Sequence, residues 1–225
     1  MPAPSVQIAI DGPAASGKTT VARAVAGRLD LLYLDTGAMY RALAYLALHN
    51  QTDLDNQDAL LRLFQHNRIK VVLDSRSPLG FRIYAGDLEL GAQLQSGEVT
   101  AVVSTIAAHP LVRESMVRDQ RRIAREGPVV MAGRDIGTVV LPDAPYKIFL
   151  TASAQARVER RRAQLEAAGV ELDAHRLTQE IEERDRIDEH RAVSPLRAAP
   201  DAHILDSSDL NVEQVVARIC AIVQA

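Results

Sequence analysis

The sequence predicts an α/β fold built on a parallel sheet, carrying a small antiparallel insert. Three observations predict it. Short apolar strands alternate with helical stretches over most of the 225 residues, the pattern of strand–helix–strand units. Between Ile69 and Leu90 that texture gives way to strand runs separated by turn dipeptides, which read as hairpins. From Ser153 to His190 the chain is highly charged and lacks a wide apolar stripe, which reads as a mobile or solvent-facing helical excursion.

Taken in order, Val6–Ile10 is a first strand, and Thr20–Leu29 the helix after it. Leu31–Leu34 is a second strand. Asp35-Thr36-Gly37 then opens a helix running to about Leu48, which Asp35 or Thr36 can cap. Asp58–His66 is a short helix. Ile69–Leu73, Phe81–Ala85 and Leu88–Leu90 are short strands joined by Ser-Pro-Leu-Gly and Gly-Asp. In Glu98–Ala107, Val99, Val102, Val103 and Ile106 form one apolar stripe. Pro110 opens a further helix, which Gly127 closes. Val129–Ala132 is a core strand running into Gly133-Arg134-Asp135, and Tyr146–Leu150 is the next. Ser153–Ala168 and Asp173–His190 are the charged helices, joined at Gly169. Ile204–Leu205 is a last strand, and Asn211–Val223 an amphipathic closing helix.

Bulk composition narrows the function classes. A net charge of −3 implies no whole-chain attraction to nucleic acid or to an anionic membrane. No apolar stretch is long enough to span a bilayer, and the amino terminus lacks the basic and apolar regions of an export signal. The single cysteine, Cys220, allows no intramolecular disulfide and fits a small buried hydrophobe. The six histidines show no metal-ligand spacing. The expectation is a soluble, cytoplasmic protein that partners neither membrane nor nucleic-acid polymer, and nothing demands more than a monomer.

Chemistry enters at Gly12–Thr20, GPAASGKTT, directly after the first strand. Strand, glycine loop and helix is the setting in which GxxxxGK[ST] cradles phosphate. Gly12, Pro13, Ala14, Ala15, Ser16, Gly17 and Thr20 form that cradle, Lys18 reaches the outer phosphates, and the Thr19 hydroxyl faces Mg²⁺. Ala14-Ala15-Ser16 stand where more glycine is common, and Gly12 and Gly17 keep the demanding backbone positions.

A phosphate cradle specifies triphosphate binding and no reaction. A phosphoryl-transferring kinase, a switch GTPase and a remodelling ATPase compete. No guanine-reading NKxD run is present, and no apolar strand ends in Asp-Glu. The arginines favour the kinase. Arg41 falls in the first turn of the helix after the second strand, and Arg134 at the carboxyl end of a core strand, the edge where open α/β sheets bind ligands. Arg184, Asp188 and Arg191 share one helix face; Arg157, Arg160 and Arg161 share another. For the helical groups the competing reading is solvated surface with weak ion pairs. Two phosphates brought together repel, and guanidinium groups suit their oxygens. A phosphate acceptor is already ionised at neutral pH, so no general base is needed.

GPAASGKTT, LDTGAMYRALA (residues 34–44), AGRDIGTVVLPDAPYKIFLTAS (132–153) and ERDRIDEHRAVSPL (183–196) together resemble bacterial cytidylate kinase over essentially the whole chain. The resemblance implies a five-stranded parallel core (about 1–35, 105–152 and 192–225), a monophosphate-binding region (about 36–104) and a helical lid (about 153–191). It implies transfer from ATP, with Mg²⁺, to CMP or dCMP. Alternatives are a UMP or other nucleoside monophosphate kinase, a small-metabolite kinase on the same core, and a non-catalytic ATP-binding regulator.

By the same resemblance, Arg41, Arg134 and Arg191 hold the acceptor phosphate, with Thr36 nearby. Arg184 and Asp188 meet the ribose. Ser104, Arg113 and Asp135 read the base. Lys18, Arg134 and Arg184 are the catalytic group. Cytosine presents an amine at N4 and acceptors at N3 and O2. A carboxylate such as Asp135 accepts from N4, while Arg113 and Ser104 donate to the acceptors. Lid closure would bring Arg157 and Arg161 onto the ATP phosphates and exclude water. Asp35 is the candidate carboxylate for Mg²⁺, through water.

Overall fold

The computed structural model describes residues 6–67, 69–74, 76–77, 79–167, 169 and 173–224. The amino-terminal residues read for an export signal, Pro78 of the first hairpin turn, and Ala168 with residues 170–172 of the charged excursion lie outside the described residues.

The first half of the chain runs β1 (Gln7–Asp11), α1 (Lys18–Leu29), β2 (Leu32–Asp35), α2 (Thr36–His49), α3 (Gln57–Asn67), β3 (Ile69–Leu73), β4 (Phe81–Ala85), β5 (Leu88–Leu90) and α4 (Gly97–Ala108). The second half runs α5 (Pro110–Ile123), β6 (Val129–Gly133), β7 (Tyr146–Thr151), α6 (Ala154–Ala167), α7 (Ala174–His190), β8 (His203–Asp206) and α8 (Val212–Gln224). A 3₁₀ turn at Ala92–Gln95 and a π turn at Ile136–Val140 complete it.

β1 is the middle strand of a five-stranded sheet in the order β2-β6-β1-β7-β8, parallel throughout. Parallel strands need helical crossovers, which cover both sheet faces, so the strands read as nearly continuous apolar runs. Ile8, Ala9, Ile10, Val129, Val130 and Met131 are accordingly buried in full. Because β1, β2 and β6 run the same way, Asp11, Asp35 and Gly133 all end at one sheet edge.

β3, β4 and β5 form the expected antiparallel sheet, with Val71 opposite Ile83 and Ile83 opposite Leu90. Alternation sends Ile69, Val71, Phe81, Ile83, Ala85 and Leu90 to a buried face. That face joins the main core through Tyr33, whose ring centroid lies 6.0 Å from that of Phe81.

Helix ends follow local chemistry. Gly17 turns the chain with φ 91° so that α1 starts at Lys18, within the glycine motif rather than after it. The Asp35 carboxylate accepts from Gly37 N and caps α2, and Ser96 caps α4 by accepting from Val99 N. Asp173 caps α7.

Several expectations need correction. Arg41 is the sixth residue of α2 and so lies in its second turn, because the helix already starts at Thr36. Gly127 does not close α5. The helix ends at Ile123, and the N–H groups of Ala124, Arg125 and Glu126 bond back to Gln120, Arg122 and Ile123 in tightening turns, ahead of the bend into β6. Arg191 is the residue that ends α7 rather than a member of it. Nor is the charged excursion wholly solvent-facing. Leu177 and Ile181 of α7 are buried with Ala14, and Val158 and Leu165 of α6 pack beside them.

Candidate active site

At the shared sheet edge the chain leaves β1 through Gly12, where φ is 154° and a Cβ would sit 2.0 Å from the Leu150 carbonyl oxygen. Only glycine fits that approach. A third position is also demanding: Ala15 adopts φ 56°, a left-handed conformation that costs a side-chain-bearing residue about 1–2 kcal/mol. Gly12 and Gly17 do hold demanding backbone positions, as expected, and Ala15 adds one that the sequence did not mark. Lys18 is buried and folds over the loop, donating from Nζ to Pro13 O at 2.6 Å and to Ser16 Oγ at 3.3 Å. Burial, then the nearby Arg134 charge, pull its ammonium well below the ordinary lysine range.

A cleft of about 460 Å³ opens between this loop, α2, α4 and α7. Lys18 and six arginines line it, against three carboxylates. Five charged side chains on its floor alternate in sign. Arg113 donates to Asp135, Asp135 lies 3.8 Å from Arg191, Arg191 lies 3.6 Å from Asp188, and Asp188 accepts from Arg134 Nε at 2.8 Å. Burial opposes the charges of Arg113, Arg134, Asp188 and Arg191, and pairing offsets it to different degrees. Asp188 is held below the ordinary carboxylate range by Arg134 and Arg191, despite its burial. For Arg184 the nearby Asp188 offsets burial only in part. Burial and the Arg134 charge push it down to about 10, so it still carries its proton at neutral pH.

The surplus of cations shows as unmet hydrogen-bonding capacity. Among the described residues, the buried Nε atoms of Arg41, Arg113 and Arg184 and a terminal nitrogen of Arg191 have no hydrogen-bond partner. Buried donors without acceptors are costly, and here they belong to arginines that line the cleft.

Most sequence-singled residues meet at this cleft. From the loop come Ala14, Ala15, Gly17, Lys18, Thr19 and Thr20; from the sheet edge and α2 come Asp35, Thr36 and Arg41. Ser104 and Arg113 stand on α4 and α5, Arg134 and Asp135 come directly after β6, and Arg161, Arg184, Asp188 and Arg191 come from the charged excursion. Gly12, Pro13, Ser16 and Arg157 do not line it. Thr36 Oγ1 is spent on the Ala132 carbonyl at 2.9 Å. Arg157 donates to Ala14 O at 3.2 Å and pairs with Asp185. Arg160 ties the loop to the end of β8, donating to Ser16 O at 3.2 Å and to Ser207 Oγ at 3.0 Å.

Thr19 Oγ1 lies 3.5 Å from Asp35 Oδ2, which also receives Arg41 at 2.7 Å. A hydroxyl and a carboxylate side by side are the hard oxygen donors that Mg²⁺ takes alongside water and substrate phosphate, so these residues fit that ion. Among the described residues no group of three or more His, Cys, Asp or Glu is placed to hold a metal without such help.

Sequence reasoning missed several cleft residues. Thr100, Val103 and Ala107 line it beside Ser104 on one face of α4, and their i, i+3, i+4, i+7 spacing was the available signal. The Tyr40 ring lies 5.5 Å from the Arg113 guanidinium carbon. Asp11 and Asp185 were also missed. Asp11 Oδ1 accepts from Ile136 N at 2.8 Å and Oδ2 from Gly137 N at 2.7 Å. Burial raises its pKa to about 6 against the pull of those two bonds. Asp185 Oδ1 accepts from Ala14 N at 2.8 Å.

Sheet order, phosphate cradle and facing arginines together place the protein among the P-loop kinases. A shikimate kinase from Bacteroides thetaiotaomicron aligns with a TM-score of 0.50 and 15% identity, covering 98% of this chain and 99% of that one. An uncharacterized protein from Eubacterium ventriosum aligns with a TM-score of 0.55 and 11% identity over the same shares of the two chains. At such identities the likeness is one of fold.

Sequence comparison is more specific: the chain belongs to the cytidylate kinase family, whose model matches residues 8–225. A cytidylate kinase of Geobacillus sp. (strain WCH70) is 48% identical over 219 residues, covering 97% of this chain and 96% of the relative. One from Streptococcus pneumoniae (strain 70585) is 49% identical over 218 residues, covering 96% of each.

Proposed function

We propose that the protein transfers the γ-phosphoryl group of ATP to CMP or dCMP, giving ADP and CDP or dCDP. The observation that carries this reading is the gathering of Arg41, Arg113, Arg134, Arg184 and Arg191 with the Gly12–Thr20 loop around one cleft. Such a cleft suits two phosphorylated ligands brought end to end.

In this reading the loop from Gly12 to Thr20 holds the ATP phosphates, and Lys18 swings from Pro13 O onto the outer ones. Arg41, Arg134 and Arg191 hold the acceptor phosphate near Thr36. An oxygen of that phosphate, already ionised, bonds to the γ-phosphorus while the bond to the ADP oxygen breaks. No proton need move. Lys18, Arg134 and Arg184 stabilise the charge spread over the transferring group, which a loose transition state requires above all. Thr19 and Asp35 would hold Mg²⁺, which supplies charge neutralisation at the donor phosphates when bound.

Asp135, held between Arg113 and Arg191, accepts from the cytosine N4 amine, while Arg113 and Ser104 donate to N3 and O2. Uracil carries an oxygen at position 4, so Asp135 would face an acceptor. Arg184 and Asp188 meet the ribose. Residues about 36–104 form the monophosphate-binding region. Those about 153–191 form a lid whose Arg161 already borders the cleft, with Arg157 joining it on closure. One chain supplies every group named, so nothing in this reading demands more than a monomer.

A coupled assay of ADP release over CMP, dCMP, UMP, AMP and GMP tests the reading. It expects the highest kcat/KM with CMP or dCMP. Absence of acceptor-dependent turnover refutes it.

A further inference from the structure

Asp11 touches none of the cleft and is absent from the glycine motif, yet both its oxygens are committed. It is the last residue of β1, opposite Gly133 on β6, and that rung closes the β1–β6 ladder. Beyond it Arg134 and Asp135 leave the sheet with no β1 residue to pair with. The Asp11 carboxylate replaces the missing rung by accepting from Ile136 N at 2.8 Å and Gly137 N at 2.7 Å. On one side of Asp11 in the chain is Gly12, where the phosphate cradle begins. On the other side of its hydrogen bonds are Arg134 and Asp135, where the acceptor groups stand.

The far end of the same π turn is fixed too. Arg121 donates to Val140 O at 3.1 Å and to Val139 O at 2.6 Å. The packing leaves little slack, since a Cβ on Gly137 would lie 3.2 Å from Lys147 Cδ and 3.4 Å from Asp11 Oδ2.

We propose that Asp11 is a positioning residue that sets Arg134 and Asp135 against the phosphate cradle, and thereby governs acceptor affinity and choice of base without touching either nucleotide. This rests on the assignment of Arg134 and Asp135 to the acceptor nucleotide. The physical case is geometric. In-line transfer between two bound ligands requires that their two sites keep a fixed separation, and a displacement of about 1 Å can cost on the order of a hundred-fold. The backbone of Asp11 abuts the donor loop while its carboxylate holds the acceptor segment.

The test is Asp11→Asn. The amide fits the space but turns its NH₂ toward one of the two N–H donors. The expected result is a rise of about ten-fold or more in KM for CMP and a fall in the CMP-to-UMP ratio of kcat/KM, with KM for ATP changed less than about two-fold. A purely structural role would move both substrates alike, so equal shifts for CMP and ATP, or none for either, overturn the proposal. Should Asp11→Asn fail to fold, the exposed Arg121→Met releases the other end of the turn. The same CMP-selective loss is expected, and an unchanged KM for CMP overturns the proposal. Asp135→Ala runs alongside. If it spares the CMP-to-UMP ratio, the base-reading assignment fails. If it collapses the ratio while Asp11→Asn does not, only the positioning role fails.

Discussion

The main-chain N–H of Ala14 donates to the carboxylate of Asp185 at 2.8 Å across 171 residues of sequence. Arg157, paired with that carboxylate, donates to the carbonyl of the same alanine at 3.2 Å. The two charged helices therefore grip both polar groups of one peptide residue in the phosphate cradle, and Leu177 and Ile181 pack on its methyl group.

Removing Asp185 should loosen that grip. Asp185→Ala leaves the Ala14 N–H without its acceptor and Arg157 without its carboxylate, a loss of about 1–3 kcal/mol. The expected outcome is a several-fold higher KM for ATP, little change for CMP, and faster proteolysis within α6 and α7. Limited trypsin digestion and steady-state kinetics check it. Wild-type cleavage rates with an unchanged KM for ATP would show that the tie carries no weight.

Lys18 is buried, so its charge costs stability, while the proposed transfer requires that charge for turnover. Lys18→Met keeps most of the length of the side chain and removes the charge. Turnover should fall at least about a hundred-fold, the scale for losing one preorganised charge stabiliser. The thermal midpoint should hold or rise, since a desolvated ammonium is removed. Residual activity near wild type in a folded protein contradicts the role given to Lys18.

Asp135 is buried between Arg113 and Arg191. Asp135→Ala strands a buried guanidinium, which should destabilise the protein by about 3–5 kcal/mol. In the folded fraction, kcat/KM should drop far more for CMP than for UMP. Urea denaturation reads the first effect and the acceptor panel the second; equal losses for CMP and UMP remove Asp135 from base reading.

Asp11 gives a pH signature. Burial raises its pKa from 3.8 to about 6. The folded state therefore binds more protons than the unfolded state between those values, and this group's contribution to stability falls as pH rises through that window. The span corresponds to about 3 kcal/mol. Asp11→Asn does not titrate, so its stability relative to wild type should improve from pH 4 to pH 6.5. Urea midpoints at both pH values measure the difference, and a constant gap would show that Asp11 stays ionised throughout.

What the sequence disclosed was local. Val6–Ile10 with GPAASGKTT directly after it announced strand, cradle and helix because neighbouring residues determine all three. The hairpin runs at Ile69–Leu90 and the position of Arg134 after a core strand were visible for the same reason. Asp11 and Asp185 were hidden because the backbone N–H groups they accept from lie 125 to 171 residues away, and nothing adjacent marks them. Gly127 misled because a helix can end on backbone turns before its glycine. The left-handed φ of Ala15 was missed because alanine rarely accepts one. Leu177 and Ile181 make too narrow a stripe for periodicity to find, yet Ala14 with Val158 and Leu165 covers them.

The parallel strands have a consequence for how such an enzyme can be altered. Ile8, Ala9, Ile10, Val130 and Met131 fill the middle of the sheet with no accessible surface, while the chemistry-bearing groups begin where β1, β2 and β6 stop. Inheritance can thus hold the strand interiors constant and vary the residues just beyond their carboxyl ends. A laboratory seeking a new acceptor base should randomise the helix face around Ser104 and the segment after Gly133. The strands can be left alone.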